Sequence, residues 1–412
     1  MSSTRRSFLL AAAATATTAA AAKAAAAAAG TDPGVVPAWE APLFNLPQFS
    51  KAPIRVKSIE LLKSGKTYFV RTTSTDGVVG LVRTKQVEDS IDVLRNRVIP
   101  FFLGRDIRDL EALIDEIYIR NYKLAGQLFW SPVAFVEQSL FDLFGKTVGK
   151  PVGELLGGVK RRSISVYLSG SIRETTAEQE VEVYRQGMQA TGAHAVKFKI
   201  GGRMSRNADQ TPGRTEKMMT LARKTLGDAA VLYVDANGSY NAAKAIEIGR
   251  WLEELKVAFY EEPCPWEEMS ETKTVADALR IPIAFGECDS SFWKFDHMIR
   301  TRALDIVQPD LNDNGGFIRA ARVARMARAA GLPITPHNTQ TGAAAVNIVQ
   351  FASAIPNIGP YMEFPWRGQH DNEPWFAPHF IVKEGALAVP ANPGLGIEID
   401  PKFLARCERV LY

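Results

Sequence analysis

From Ser163 onward the chain repeats one unit, a short apolar run that ends in a polar residue and is followed by a stretch with helical periodicity. Successive polar end residues between Lys199 and Glu363 lie 23 to 36 residues apart, which suits one strand plus one helix. The eight predicted strands are Ile164–Leu168, Ala195–Ile200, Val231–Asp235, Ala258–Glu261, Ile281–Glu287, Asp305–Asp310, Leu332–His337 and Tyr361–Glu363. This α/β pattern predicts a (β/α)8 barrel of the TIM type. The alternative is a doubly wound open sheet, but no glycine-rich phosphate-binding pattern follows the first strand.

The residues before the barrel follow a different pattern. Alternating stretches at 54–73 and 78–83 flank the hairpin signal Asp76-Gly77 and predict antiparallel strands. Helical patterns follow at 86–98, 106–120 and 132–147, the last with Ser131 as N-cap and Pro132 as the first helical residue. We therefore predict an N-terminal α+β capping domain at 53–155, a barrel at 156–375, and a C-terminal segment, 376–412, that packs on the capping domain.

The first 52 residues predict an export signal and an extended arm. Residues 1–30 carry Arg5-Arg6 before Ser7-Phe8-Leu9-Leu10 and a weakly hydrophobic, alanine-rich run, which resembles a twin-arginine signal. The alternatives are an alanine-rich tail and a membrane anchor; small residues before Gly30 favour cleavage over an anchor. Residues 31–52 are proline-rich and aperiodic. We expect a periplasmic or otherwise extracytoplasmic protein that no longer contacts a membrane after the leader is removed.

Composition and charge narrow the class of protein. The chain has 412 residues, 46% of them apolar and 23% charged, which is an ordinary globular composition. The net charge of +4 falls to +1 without residues 1–30, so the rest of the chain has no basic bias that would predict a nucleic-acid partner. Three cysteines exclude a disulfide framework. We expect Cys264 and Cys288 to be free thiols, with a disulfide between them as the alternative.

One predicted barrel helix carries a stripe of four arginines, at positions 319, 322, 325 and 328. Residues three apart lie on the same face of a helix. The stripe is interpreted as the solvated outer face of a barrel helix, and a polyanion-binding surface is the alternative.

Three carboxylates follow three neighbouring strands, at Asp235, Glu261 and Glu287. Barrel enzymes carry their chemistry at the carboxyl ends of the strands, so these side chains are expected to converge. Without a counter-charge they would repel one another. A set of oxygen ligands without His or Cys favours Mg2+, with Mn2+ as the second choice. The alternative is that each acid caps a helix or pairs with a lysine.

The remaining polar strand ends suggest acid–base chemistry. Alternation on the second strand places Lys197 and Lys199 on the same, inward face, where two ammonium groups should depress each other's pKa. Outward, solvated lysines are the alternative. His337 and Asp310 end neighbouring strands, so the carboxylate can fix the imidazole tautomer. Glu363 suits a protonated hydrogen-bond donor to a developing oxyanion, or a salt bridge to Lys197 or Lys199.

These motifs together resemble the enolase superfamily, in its mandelate racemase-like subgroup. The resemblance rests on SPVAFVEQSLFDLFGKTVGKPVGELLGG, VKFKIGG, VDAN, YEEP, FGE, QPDLNDNGGF and TPHN, and it spans nearly the whole chain after the leader. It implies Mg2+-assisted removal of a proton α to a carboxylate, and it implies that Asn237 contacts the substituent on the α-carbon. The sequence departs from the family pattern at Gly80-Leu81-Val82-Arg83 and in the long polar loop at 202–214, two regions expected to close the site.

The resemblance leaves the reaction open between several outcomes. We favour dehydration of an acid sugar to a 2-keto-3-deoxy acid, with Lys199 and His337 acting from opposite sides of the substrate. The alternatives are a racemase or epimerase of an α-substituted acid and, in a different class, a non-catalytic exported sugar-acid binding protein. A cycloisomerase is set aside because no lysine follows the sixth strand at 311–314. We expect a small-molecule carboxylate as partner and a homo-oligomeric protein.

Overall fold

The computed structural model describes residues 38–368 and 373–411. The predicted leader and residues 31–37 of the arm lie outside the described residues, so the export signal stays a prediction. Among the described helices, none combines the length and apolar character needed to cross a bilayer.

The capping domain is an antiparallel sheet with helices packed against it. Its sheet has the order β14 (Glu408–Leu411), β1 (Val56–Ser64), β2 (Thr67–Ser74) and β3 (Val79–Arg83), so that the last described strand of the chain lies beside the first. The helices are α1 (Ile91–Val93), α2 (Ile99–Phe102), α3 (Leu110–Asn121), α4 (Gln127–Val148) and α5 (Val152–Leu155). Short 3-10 or π-helical turns lie at Ala38–Glu40, Leu46–Phe49, Val87–Ser90, Leu94–Val98, Ile107–Asp109 and Tyr122–Leu124.

The longest helix, α4, begins earlier than the sequence predicts. Its N-cap is Gly126 in an extended conformation, and the hydroxyl of Ser131 donates to the carbonyl of Gln127 at 2.9 Å. The prediction of Ser131 as N-cap and Pro132 as the first helical residue is therefore wrong. Phe129 and Trp130 are both 1% exposed, so their burial accounts for the additional turn.

The barrel is confirmed as a curled, mainly parallel sheet with the strand order β10-β4-β5-β6-β7-β8-β9, and β12 pairs with β4. Its strands are β4 (Ser163–Ser169), β5 (Ala195–Lys199), β6 (Val231–Asp235), β7 (Phe259–Glu261), β8 (Ile283–Phe285), β9 (Ile306–Val307) and β10 (Met362–Pro365). The seventh predicted strand forms only single bridges, Val307 to Ile334 and Asp310 to His337, and Ile334 bridges in turn to Ile358. Its two prolines, Pro333 and Pro336, have no N–H to donate, which explains why no continuous ladder forms.

Helices cover the outside of the barrel, and aromatic side chains fill its interior below the strand ends. The helices are α6 (Ala177–Thr191), α7 (Arg214–Leu226), α8 (Ala242–Glu254), α9 (Met269–Ala278), α10 (Phe292–Thr301), α11 (Phe317–Ala329) and α12 (Val346–Ala354), with a 3-10 turn at Gly342–Ala345. Tyr233 and Phe259 stack with their ring centroids 3.8 Å apart, and Tyr167 packs against both rings. This layer of packed rings fills the barrel interior beneath the polar side chains.

The prediction of a solvated arginine stripe on α11 is wrong for Arg319 and Arg322, which are buried, whereas Arg325 is half-buried and Arg328 is exposed as predicted. The guanidinium of Arg319 lies between the rings of Trp130 and Phe292, 3.7 and 3.9 Å from their centroids. Arg322 is 3% exposed and pairs with Asp115 of α3 at 2.9 Å. The capping domain covers this helix, and burial is tolerated because the guanidinium groups find aromatic faces and a carboxylate.

The C-terminal segment contacts both parts of the molecule. Its elements are β11 (Phe376–Ala377), β12 (Ala386–Ala388), β13 (Glu398–Ile399), α13 (Pro401–Leu404) and β14 (Glu408–Leu411). β14 pairs antiparallel with β1 of the capping domain, whereas β12 pairs with β4 of the barrel. The precise domain boundaries stay predictions.

Candidate active site

The three predicted metal ligands lie together at the carboxyl ends of β6, β7 and β8. Asp235 and Glu261 are register partners on neighbouring strands. Glu287 follows β8 after Gly286, whose φ of 128° and close approach to the Phe295 ring require glycine. One carboxylate oxygen from each acid lies within 4.8 Å of the other two. The three acids therefore lie close enough to share one cation, and their role as metal ligands stays a prediction.

The donor set fits a hard divalent cation. Asp235 and Glu261 are completely buried, and the three acids offer only carboxylate oxygens. Oxygen Oε2 of Glu287 is buried without a hydrogen bond among the described residues, although Nε2 of His337 lies 3.3 Å away. Burial raises the pKa of Glu261 well above its usual range even though Lys197 acts against this, and the neighbouring acids Asp235, Glu363 and Glu287 raise it further. A cation at this position would offset that repulsion.

Lys197 is completely buried and binds acids on both sides. Its Nζ lies 2.8 Å from Oε2 of Glu261 and 2.8 Å from Oε1 of Glu363. Burial alone lowers the pKa of an ammonium, but these carboxylates raise the pKa of Lys197 well above its usual value. The prediction that the two lysines depress each other's pKa is therefore wrong for Lys197, because the charges of Glu261 and Glu363 raise its pKa.

Glu363 is the ionised partner in that pair. Burial by itself raises the pKa of a carboxyl, but Lys197 lowers the pKa of Glu363 to about 2. The structure thus shows the predicted alternative, a salt bridge, and contradicts the protonated donor. Oε2 of Glu363 also accepts a hydrogen bond from the backbone N–H of Asn338 at 3.0 Å.

Lys199 lies on the same inward face of β5, two residues further on. Its ammonium pairs with Oδ2 of Asp235 and lies 3.4 Å from Oδ1 of Asn237. Unlike Lys197, it lines the open cavity above the carboxylates. Both lysines point inward, as the alternation of the strand predicts, because Lys197 binds Glu261 and Lys199 binds Asp235 at the ends of β7 and β6.

His337 lies on the other side of the same cavity. Its Nδ1 is 2.9 Å from Oδ2 of Asp310, and its Nε2 faces Oε2 of Glu287. Burial alone lowers the pKa of an imidazole, but Glu287 and the hydrogen bond to Asp310 raise the pKa of His337 to about 10. Asp310 therefore holds the ring with Nε2 directed towards the acids, as the sequence predicted from the neighbouring strand ends.

Asn237 occupies a turn after β6 and contacts several site residues. Its φ of 40° is left-handed, and its N–H donates to Oδ1 of Asp235 at 2.8 Å. Arg173, which the sequence did not single out, donates to the Asn237 side-chain oxygen at 2.9 Å and is 3% exposed. Arg173 follows β4 in an aperiodic loop, so no spacing signal identified it. Arg173 therefore orients the side-chain amide of Asn237, which the family resemblance implies contacts the substrate.

Two further polar residues near the acids were also missed. Gln308 directly follows β9, and its side-chain amide donates a hydrogen bond to Oε2 of Glu261 at 3.0 Å. Glu262 is buried beside Glu261, and burial together with Glu287 and Asp235 raises its pKa well above the usual range. Glu262 directly follows Glu261 in the sequence, but the sequence analysis singled out only Glu261, as the polar end of its strand.

A cavity of about 520 Å³ opens above these residues, between the barrel and the capping domain. Both regions that depart from the family pattern reach it, through Arg83 on β3 and Arg203 in the 202–214 loop. Arg203, Lys66 and Arg367 are exposed at this cavity and form no ion pair with any described residue. The opening is therefore rich in positive charge, which suits an anionic ligand.

Comparisons with known proteins agree with this geometry. Residues 179–403 match the family described as enolase C-terminal domain-like, which covers more than half of the chain. The chain belongs to the enolase superfamily. The match lies within its mandelate racemase/muconate lactonizing enzyme-like branch, whose members are enzymes, and the chain is accordingly an enzyme of this superfamily.

Characterised relatives of this superfamily member act on acid sugars and their lactones. The chain is 29% identical to the arabinonate dehydratase of Saccharolobus solfataricus over 79% of this chain and 86% of that protein. It is 28% identical to the D-galactarolactone cycloisomerase of Agrobacterium fabrum over 73% of this chain and 80% of that protein. The second relative is a cycloisomerase, so the comparisons do not support the expectation that this activity can be set aside.

Solved structures share the whole fold of this superfamily member. A protein of Roseobacter denitrificans, provisionally described as a racemase, is 37% identical with a TM-score of 0.81 over 86% of this chain and 98% of that one. A mandelate racemase/muconate lactonizing protein of Paracoccus denitrificans, complexed with magnesium, is 29% identical with a TM-score of 0.80 over 87% and 99%. Enzymes of the superfamily use Mg2+.

Proposed function

We propose that the protein is a Mg2+-dependent dehydratase that converts an acid sugar to a 2-keto-3-deoxy acid. The observation that carries the proposal is that Lys199 and His337 line one cavity directly above the cluster of Asp235, Glu261 and Glu287. A base, an acid and a carboxylate-rich site for a cation are the groups that removal of an α-proton requires.

The three acids would hold Mg2+. When bound, the ion would stabilise the negative charge that develops on the substrate carboxylate as the α-proton leaves. Lys197 does not face the cavity; it holds the carboxylates of Glu261 and Glu363 in place and partly balances their charge. Asp235 also receives hydrogen bonds from Asn237, so its orientation is set from within the protein.

The proton transfers are assigned to the two groups that face the cavity. Lys199 would act as the base and take the α-proton onto Nζ. His337 would donate the proton on Nε2 to the leaving β-hydroxyl, which departs as water, while Asp310 keeps Nδ1–H in its hydrogen bond. The cation-rich opening would attract a substrate that carries a carboxylate.

A racemase or epimerase is the second candidate. The same two groups on opposite sides of the cavity could exchange the α-proton between two faces, and the Roseobacter denitrificans protein carries a racemase description. We favour dehydration because the arabinonate dehydratase and several D-galactonate dehydratases are relatives over most of the chain. A non-catalytic sugar-acid binding protein would not need both Lys199 and His337.

The proposal is tested by incubating the purified protein and Mg2+ with a library of mono- and di-acid sugars and assaying for 2-keto acids. We expect one configuration of acid sugar to give a 2-keto-3-deoxy product, and EDTA to abolish its formation. An inverted α-centre without any 2-keto acid would support the racemase instead. A complete absence of turnover and of α-proton exchange across the library would contradict both.

A further inference from the structure

A lysine of the capping domain reaches into the Asp310–His337 pair. Lys85 follows β3, and its Nζ lies 2.7 Å from Oδ2 of Asp310 and 2.8 Å from Oδ2 of Asp313. Its side chain is 12% exposed, and the opposite charges of these two acids raise its pKa against the effect of burial. The contact joins residues 225 positions apart in the chain.

Asp310 is held by donors from both domains. Oδ2 accepts from Nδ1 of His337 and from Lys85, whereas Oδ1 accepts from the backbone N–H groups of Asn312 and Asp313 at 2.8 and 3.3 Å. Among these four donors, Lys85 alone comes from the capping domain. The oxygen that orients His337 is therefore the same oxygen that the capping domain binds.

Asp313 extends the contact to a second cap element. Its Oδ1 lies 3.0 Å from the hydroxyl oxygen of Ser131 on α4, and its Oδ2 binds Lys85. Without the ammonium, no cation would separate the carboxylate of Asp310 from that of Asp313, which is 20% exposed. Burial and the charge of Asp310 both raise the pKa of Asp313. Lys85 thus keeps two acids close together that would otherwise separate.

We propose that Lys85 is a positioning residue that fixes Asp310, and through it His337, when the capping domain is seated on the barrel. The inference rests on the proposed function, because it concerns the group assigned to protonate the leaving hydroxyl. Lys85 does not contact Lys199, which is held instead by Asp235 on the opposite side of the site. Loss of Lys85 should therefore impair the step assigned to His337 and spare the one assigned to Lys199.

The test compares Lys85→Met and Lys85→Arg with the parent protein, with Lys57→Met as a control. Lys57 is an exposed lysine of β1 in the same domain. In 2H2O, dehydration and α-deuterium incorporation are measured on the same substrate. We expect Lys85→Met to lower dehydration about 10- to 100-fold, as is common for groups that orient a reacting side chain, while deuterium incorporation changes less than threefold. Lys85→Arg should recover part of the loss, and Lys57→Met should match the parent.

A spectroscopic measurement tests the same inference without substrate. The chain has five histidines, so the Nδ1–H proton of His337 can be assigned by 1H NMR from its loss in His337→Asn. We expect Lys85→Met to shift this resonance or broaden it through exchange with water, whereas Lys57→Met leaves it unchanged. If Lys85→Met does not fold, as judged by circular dichroism, Lys85→Gln replaces it.

The outcomes separate the two claims. If the parent protein neither dehydrates nor exchanges any acid sugar, the proposed function fails, and the His337 resonance still decides the role of Lys85. An unchanged resonance in the folded Lys85 variant contradicts the inference. Equal losses of dehydration and of exchange also contradict it, because they indicate general disruption of the site.

Discussion

Lys197 and Lys199 are separated by a single residue on β5, yet they have different surroundings. Lys197 is locked between Glu261 and Glu363 below the cavity, and Lys199 reaches the cavity itself. Strand alternation predicts that both point inward, but it cannot predict which carboxylate each will bind, because that depends on the depth of each residue in the barrel. For the same reason the sequence left open whether Glu363 pairs with Lys197, and the 2.8 Å contact between them shows that it does.

Residues in loops were the ones that the sequence could not identify. Arg173 and Lys85 lie outside regular strands, where no periodicity fixes the direction of a side chain. The acids at the strand ends were predictable because parallel strands in a barrel bring their carboxyl ends to one rim.

Asp235, one of the three proposed metal ligands, gives a prediction about Mg2+ affinity. Asp235→Asn keeps the shape of the side chain and removes a negative ligand, so Mg2+ affinity measured by titration calorimetry should fall at least about tenfold. Asp228→Asn is the matched control, because Asp228 is exposed and pairs with Lys256 far from the rim. Equal Mg2+ affinity in the parent and Asp235→Asn would show that this carboxylate is not a ligand.

At the scale of elements, periodicity located the helices and strands but not all their ends. The start of α4 depends on the burial of Phe129 and Trp130 against neighbouring elements, which a single helix pattern does not contain. The seventh strand was predicted from its apolar residues, whereas its prolines reduce it to isolated bridges. The outer face of α11 was assigned to solvent because the sequence does not show that the capping domain covers it.

The contact between β3 and α4 gives a second prediction. A Cβ at Gly80 would lie 2.0 Å from the carbonyl oxygen of Ser139 and 2.7 Å from Leu143, so the strand and helix would have to separate. We expect Gly80→Ala to lower the free energy of unfolding by about 1–3 kcal/mol, as overpacking commonly does. Gly126→Ala is the comparison: the nearest atom to its Cβ is 4.0 Å away, so it should show only the smaller loss that alanine causes at the N-cap of α4. Urea denaturation of both variants makes the comparison, and equal midpoints would refute the close packing.

Asp106, the N-cap of the 3-10 turn Ile107–Asp109 in the capping domain, gives a prediction that depends on pH. Asp106 accepts hydrogen bonds from Arg108 and from the N–H of Ile54, and although burial acts in the opposite direction, these bonds lower its pKa below the ordinary 3.8. A lowered pKa means that the stabilisation is complete above pH 4 and is lost as the pH falls through the folded-state value. Asp106→Asn should therefore cost about 1 kcal/mol at pH 7 and progressively less below pH 4.

The measurement is the free energy of unfolding of the parent and Asp106→Asn between pH 3 and pH 7. Asp76→Asn, at an exposed hairpin turn, provides the control for loss of a surface charge. A difference between parent and Asp106→Asn that stays constant across this range would contradict the assigned hydrogen bonds.

At the scale of the whole molecule, the barrel supplies the acids, the lysines and the histidine, and the capping domain closes the cavity above them. The repeat of eight strand–helix units made the barrel predictable, and the strand-end residues made its site predictable. The contacts that Lys85 and Arg83 of the capping domain make could not be predicted in this way, because they join segments more than 200 residues apart.

We propose, from the sequence of the leader, that the protein is exported by the twin-arginine route. Arg5→Lys together with Arg6→Lys keeps the charge but removes the paired arginines, and it should leave the precursor in the cytoplasm. Lys23→Arg is a control within the same leader. Cell fractionation followed by immunoblotting measures the distribution, and unchanged periplasmic recovery of the double variant would rule out the twin-arginine route.

We propose that Lys199 removes an α-proton and that His337 protonates the leaving group in a site that needs Mg2+. The decisive experiment uses His337→Asn in 2H2O and follows deuterium at the α-carbon of the acid sugar that the parent dehydrates. We expect deuterium incorporation without 2-keto acid formation, abolished by EDTA and reduced about 10²- to 10⁴-fold by adding Lys199→Ala. Incorporation that persists without Lys199, or dehydration that continues at the parental rate without His337, would contradict this proposal.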